Sequence, residues 1–145
     1  MGRKNSPSAN KELNELIAQY ETARAENRQL YLDGDQLADI ADQYAAERKF
    51  NEAQEVITYG LHLHPDSTDL LVEQAYLYLD TGKIPLAKKV VESITDEYDT
   101  DVKMLKAELM LNEGQLENAR NVLDTIEDAD ELETIINIVY LYMDM

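Results

Sequence analysis

The residues best suited to chemistry in this 145-residue chain are His62, His64 and two runs of carboxylates, 96–101 and 127–131. A metal site needs three or four ligands converging on one point. His62 and His64 stand two apart at the end of a helix-like segment, which sets them on different faces, and no third ligand lies near them in sequence. Both are expected to be solvated polar residues beside a turn. Asp96-Glu97-Tyr98-Asp99-Thr100-Asp101 and Glu127-Asp128-Ala129-Asp130-Glu131 offer the hard oxygen donors that calcium takes. Neither has the glycine and closing glutamate of a calcium loop at the required spacing. Between helices and at their N-termini such acids gain from the helix dipole, and that is the role expected of them. There is no phosphate-cradling glycine loop and no G-x-S-x-G nucleophile turn. The expectation is a non-enzymatic chain with no catalytic residue, cofactor or metal.

Charge narrows the partners. Thirty acidic against 13 basic residues give a net charge of −17. Nucleic acids and anionic membranes are held by basic patches, so both are disfavoured. A basic or amphipathic protein partner fits better. The chain has room for one domain, and its 44% hydrophobic content suffices for a core. There is no cysteine, hence no disulfide or thiolate chemistry. No apolar run approaches the ~18–20 residues of a membrane span, and no hydrophobic signal core opens the sequence. A cytoplasmic chain is expected. Met1-Gly2-Arg3-Lys4-Asn5-Ser6 fits the short myristoylation pattern, a permissive one on which no lipid anchor is expected.

The elements that must carry any binding surface are periodic. Leu70–Asp80 reads as a helix, Gly82 as a turn, and Pro85–Val91 as a second helix opened by a proline in its first turn. The unit recurs upstream and downstream. Ala41, Ala75 and Ala107 mark the first helix, and Ala53, Ala87 and Ala119 the second, with spacings of 34 and then 32 residues. A helix–turn–helix period near 34 signals a repeat array rather than one globular core. Small residues at these positions let the two helices approach closely, while Tyr44 and Tyr78 fill the gap beside them.

This pattern resembles the tetratricopeptide repeat (TPR) family, which has a small residue in helix A, Tyr three later, Ala in helix B, a large apolar residue four later and a closing Pro. The first repeat supplies Ala41, Tyr44, Ala53, Ile57 and Pro65. The second supplies Ala75, Tyr78, Gly82, Ala87 and Val91, with Asp99 where proline is expected. The third supplies Ala107, Met110, Gly114, Ala119 and Leu123. None carries the family's early Trp, whose places are taken by Leu37, Leu71 and Lys103. The resemblance implies an all-α, right-handed α-solenoid of helix–turn–helix repeats.

The expected organisation is a disordered N-terminus at 1–9, an N-terminal helix at 10–33, TPR 1 at 34–67, TPR 2 at 68–99, TPR 3 at 100–130, and helix A of a fourth, truncated repeat at 131–145. Repeat helices are predicted at about Gln36–Glu47, Phe50–Leu63, Thr68–Asp80, Pro85–Thr95, Asp101–Asn112 and Leu116–Glu127. The N-terminal helix carries one stripe, Leu13, Leu16, Ile17, Tyr20, Ala23, Leu30 and Tyr31. That stripe suits packing on the first repeat; a coiled-coil seam is the other reading, with Asn27 interrupting it. Val139–Asp144 resembles Ala75–Asp80 nearly position by position, so the natural chain is expected to continue beyond Met145, or a second copy to cover this end.

In TPR arrays helix A lines the concave face, and the register implies which residues do so here. Repeat one gives Asp35, Ala38, Asp42 and Ala45; repeat two Asp69, Val72, Tyr76 and Leu79; repeat three Asp101, Met104, Glu108 and Leu111. Glu133, Ile136, Tyr140 and Met143 would extend the strip. It is apolar and edged with acids, and it lacks the Lys, Arg and Asn with which some TPR domains clamp a partner's C-terminal carboxylate. The implied function is non-catalytic protein–protein interaction, with a basic or amphipathic helix or extended peptide in the groove. The alternative is structural self-association, a homodimer through the apolar C-terminal helix or the N-terminal one. An RNA-binding helical repeat would need a basic groove.

Overall fold

Glycine, proline and capping acids divide the chain close to where the sequence places its boundaries. The computed structural model describes residues 7–126, which hold seven α-helices and no strand. They are α1 (Pro7–Ala25), α2 (Gly34–Ala46), α3 (Phe50–Leu63), α4 (Thr68–Asp80), α5 (Ile84–Ser93), α6 (Thr100–Asn112) and α7 (Leu116–Leu123). The A helices α2, α4 and α6 are each 13 residues long and start 34 and then 32 residues apart. The B helices α3, α5 and α7 start with the same offsets. The fold is an all-α helical repeat. It divides into two compact units, Met1–Glu73 and Gln74–Met145, with the division inside α4. The fourth-repeat helix expected at 131–145 and the tail before Pro7 lie outside the described residues.

One turn type ends α1 and every A helix. Asn27, Arg48, Gly82 and Gly114 have φ of 51°, 61°, 77° and 77°. After each, the next backbone N–H reaches back five residues: Arg28 to Ala23 (2.8 Å), Lys49 to Tyr44 (2.8 Å), Lys83 to Tyr78 (2.7 Å) and Gln115 to Met110 (2.8 Å). This is the Schellman closure, which satisfies carbonyls the helix end would leave orphaned. Gly82 and Gly114 take its left-handed position without strain. A Cβ at Gly82 would meet nothing within 4 Å, so only the backbone angle resists substitution. Gly82→Ala is expected to cost about 1 kcal/mol, read as a lowered midpoint in chemical denaturation. Arg48 holds the same conformation despite its side chain, with its guanidinium 5.3 Å from the centroid of the Phe50 ring.

The differences from expectation sit at helix ends. α1 begins at Pro7, whose fixed φ suits a first turn, so residues 7–9 are helical rather than disordered. It ends at Ala25 rather than near Leu32, because Asn27 adopts the left-handed conformation that asparagine tolerates. The segment 28–33 is instead tied to α3: Tyr59 donates its hydroxyl to the Leu30 carbonyl (2.7 Å), and His64 Nε2 donates to that of Leu32 (2.8 Å). α5 stops at Ser93, since Ile94 turns extended and buries its side chain. α7 stops at Leu123, where Thr125 turns back on Val122 and Lys103 Nζ holds the Thr125 carbonyl (3.0 Å).

In the first unit α2 packs on α3, and Leu37, Ile40, Ala41, Ala53, Val56 and Ile57 are no more than 1% exposed. α1 packs on α2, burying Tyr20 and Ala23, which is the packing role rather than a free seam. Tyr44 donates its hydroxyl to Glu21 at 2.5 Å, and the Tyr20 ring meets that of Tyr59 at 6.3 Å. In the second unit Ala75, Ala87, Val91, Leu105 and Leu109 form one cluster, and Ala107, Ala119, Leu123 and Ile126 another. α6 is thus buried on two sides, which is why its apolar residues form no single stripe. All six register alanines are buried.

Burial raises the pKa of Tyr20, and burial together with the Glu21 hydrogen bond raises that of Tyr44 further. A raised folded pKa means that the folded state holds these protons more tightly than the unfolded chain. The associated stability is complete below the ordinary value of 10.0 and is lost as pH rises through the folded values. A Tyr20→Phe/Tyr44→Phe variant should therefore show a shallower loss of stability above about pH 10 than the parent, in denaturant titrations at stepped pH.

Candidate protein-binding surface

The helix A positions do not form a uniform strip. On α2, Asp35 is exposed, Asp42 and Ala45 are half-buried, and Ala38 is fully buried. On the first half of α4, Asp69 is half-buried and Val72 is buried at 2% exposure. The first unit therefore offers mainly carboxylates, because Ala38 and Val72 are absorbed into the core and Ala45 adds only a methyl group. The second unit differs. Tyr76 and Leu79 on α4 and Asp101, Met104, Glu108 and Leu111 on α6 are all half-buried. Tyr76 and Leu79 rest on the Ala75–Leu109 cluster, and Met104 and Leu111 on the cluster around Ala119. Glu133, Ile136, Tyr140 and Met143 lie outside the described residues.

Helical spacing aligns these side chains. Tyr76, Leu79 and Asp80 stand at i, i+3 and i+4, and Met104, Glu108 and Leu111 at i, i+4 and i+7, so each trio shares a face. Glu108 is held above the ordinary carboxylate value, first by burial and then by the charge of Asp80. Because its folded pKa is raised, Glu108 is a penalty at neutral pH that disappears as pH falls below the unfolded value of 4.5. Glu108→Gln should therefore melt higher than the parent at pH 7, with the difference vanishing near pH 4.

The other chemical candidates have structural roles. Asp96 Oδ1 accepts the backbone N–H groups of Tyr98 (3.1 Å) and Asp99 (3.2 Å), and Asp99 caps α6 by accepting from Val102 (3.1 Å). The run at 127–131 lies outside the described residues. His62 is exposed, as expected. His64 is not solvated: besides its bond to Leu32, its ring meets that of Tyr31 edge-on at 5.4 Å. No sequence signal marked that pairing, since its partners lie more than 30 residues away. Among the described residues no three His, Cys, Asp or Glu gather as a metal site requires, and no helix is long and apolar enough to cross a membrane.

The family model of the tetratricopeptide repeat matches residues 44–109, from the Tyr of the first repeat to the A helix of the third. Over those residues the chain carries tetratricopeptide repeats. Comparison with curated proteins returns no match, and neither does comparison with solved structures. TPR modules mediate protein–protein interaction and are typically non-catalytic, and the TPR register here is the one in which the six alanines are buried.

Proposed function

We propose that this protein is a non-catalytic TPR adaptor that holds a segment of another protein against the A-helix face of its second unit. One observation carries the reading: Tyr76, Leu79, Met104 and Leu111 remain half-buried at ligand-facing TPR positions, whereas Ala38 and Val72 at equivalent positions are consumed by the core. The acids beside them and the net charge of −17 favour a basic or amphipathic partner. Half-buried aromatic and aliphatic side chains of this kind anchor interfaces.

The test is affinity capture from native lysate with the parent and with a Tyr76→Ala/Leu79→Ala variant, followed by mass spectrometry. The partner should be retained by the parent and lost from the variant, while far-UV circular dichroism shows the helices intact. Equal capture by both removes this face as the binding surface. Recovery of the chain alone, with a mass that rises with concentration, would favour self-association.

A further inference from the structure

α1 is held to the first unit less firmly than the segment that follows it. Of the α1 side chains described, only Tyr20 and Ala23 are buried, while Leu13, Leu16 and Ile17 are half-buried. Its polar ties to α2 and α3 run through Glu21 and Arg24. Tyr44 donates to Glu21 at 2.5 Å, whereas Arg24 meets Glu55 at 3.5 Å with both side chains about half exposed or more, a pair that contributes little. The Tyr20 hydroxyl is sealed in the contact with no hydrogen-bond partner among the described residues, which costs stability. The next segment is fixed better. Leu32 is buried, and Tyr59 and His64 of α3 donate to the carbonyls of Leu30 (2.7 Å) and Leu32 (2.8 Å). Between the two stands Asn27, left-handed at φ 51°, with the Arg28 N–H closing the last turn of α1 on the Ala23 carbonyl.

We propose that α1 is a hinged lid, which lifts off α2 and α3 about Asn27 while the segment 28–33 stays pinned to α3, well before the unit as a whole unfolds. Elements with few buried side chains are the ones that open locally. Asparagine suits the hinge, because it tolerates the left-handed region and the ordinary one alike. Two tyrosines set the balance in opposite directions. The Tyr20 hydroxyl favours opening, since in the lifted state it can bond to water and in the closed state it has no partner. Tyr44 favours closing, since its bond to Glu21 exists only while α1 is seated. The lid covers Tyr44 and meets the Tyr59 ring through Tyr20, so its position decides whether this side of the α2–α3 pair is sealed. The device belongs to the first unit and is independent of binding at the second.

Native-state hydrogen exchange on the full chain, resolved by residue, tests the lid. Amides of α1 from Leu16 to Arg24 should be protected, yet exchange about a hundredfold faster than those of Ile40, Val56 and Ile57. Tyr20→Phe keeps the ring and removes the sealed hydroxyl, and should slow α1 exchange about tenfold. Tyr44→Phe removes the bond to Glu21 and should speed it about tenfold. Ile57→Val separates a lid from whole-unit unfolding. Ile57 is 1% exposed and lies on the α3 face shared with Ala53 and Gly60, where a Cβ on Gly60 would meet Leu37 and Leu70. Its truncation weakens the α2–α3 pair whether the lid is open or shut. It should therefore speed exchange in α2 and α3 about fivefold and leave α1 unchanged. Four results overturn the inference: no protection in α1, which would mean it is not seated; protection in α1 equal to that of α2 and α3; an Ile57→Val effect as large in α1 as in α3; or the two Tyr→Phe variants shifting α1 in the same direction.

Discussion

Leu105→Ala is expected to destabilise the second unit by about 3–4 kcal/mol, the largest effect of any single truncation considered for this chain. Leu105 is fully buried and shares its cluster with Ala75, Ala87, Val91 and Leu109. Two of those four neighbours are alanines, which have no rotamers with which to reach into a void. The cavity should therefore persist, and cavity volume is what raises the cost of such substitutions above the simple transfer energy. Met104, its half-buried neighbour on α6, should lose much less on truncation to alanine, about 1 kcal/mol, since part of its side chain already meets water. Urea denaturation of the two variants against the parent checks both values. A Leu105→Ala midpoint no lower than that of Met104→Ala would mean that the α4–α5–α6 cluster is not the core of this unit.

Gly60→Val should cost about 3 kcal/mol, although replacing glycine inside a helix ordinarily adds stability. A Cβ at Gly60 would lie 2.8 and 3.0 Å from the two methyl carbons of Leu70 and 3.4 Å from a methyl of Leu37. Carbon atoms pack best at 3.5–4.0 Å, so each approach is repulsive. Both leucines are fully buried and have little room to retreat. Gly60→Ala sets a helix-propensity gain of about 1 kcal/mol against this overlap and should still come out destabilising. Valine adds two further methyl groups to the same closed space. Coupling to Leu70 identifies the cause: in a Gly60→Val/Leu70→Ala double variant the loss should be smaller than the sum of the two single losses. Strict additivity would show that Gly60 is limited by something other than Leu70. The same position explains why α3 tolerates a glycine ten residues into a 14-residue helix.

The sequence by itself determined the repeat and its phase. Ala41, Ala53, Ala75, Ala87, Ala107 and Ala119 are buried as their spacing predicts, because helix periodicity and small-residue contacts are local and repeat with the chain. Glycine in a left-handed turn is equally local, so Gly82 and Gly114 were readable. Arg48 was not, since nothing in an arginine announces a left-handed backbone; the packing of α2 on α3 imposes the same closure there. Asn27 carried a weaker signal, a residue that tolerates the left-handed region, and it ends α1 six residues before the apolar stripe does.

Only the tertiary structure decided which A-helix residues face outward. Ala38 and Val72 occupy the same register as their half-buried counterparts, yet they are sealed, because burial depends on neighbours distant in sequence. The same holds for His64, which sequence reasoning left in solvent and which the fold places against the Leu32 carbonyl and the Tyr31 ring. Glu108 is the sharpest case. In a chain with 30 acidic residues its identity carries no information. What distinguishes it is half-burial beside Asp80, and that arises only when α4 and α6 meet in one core.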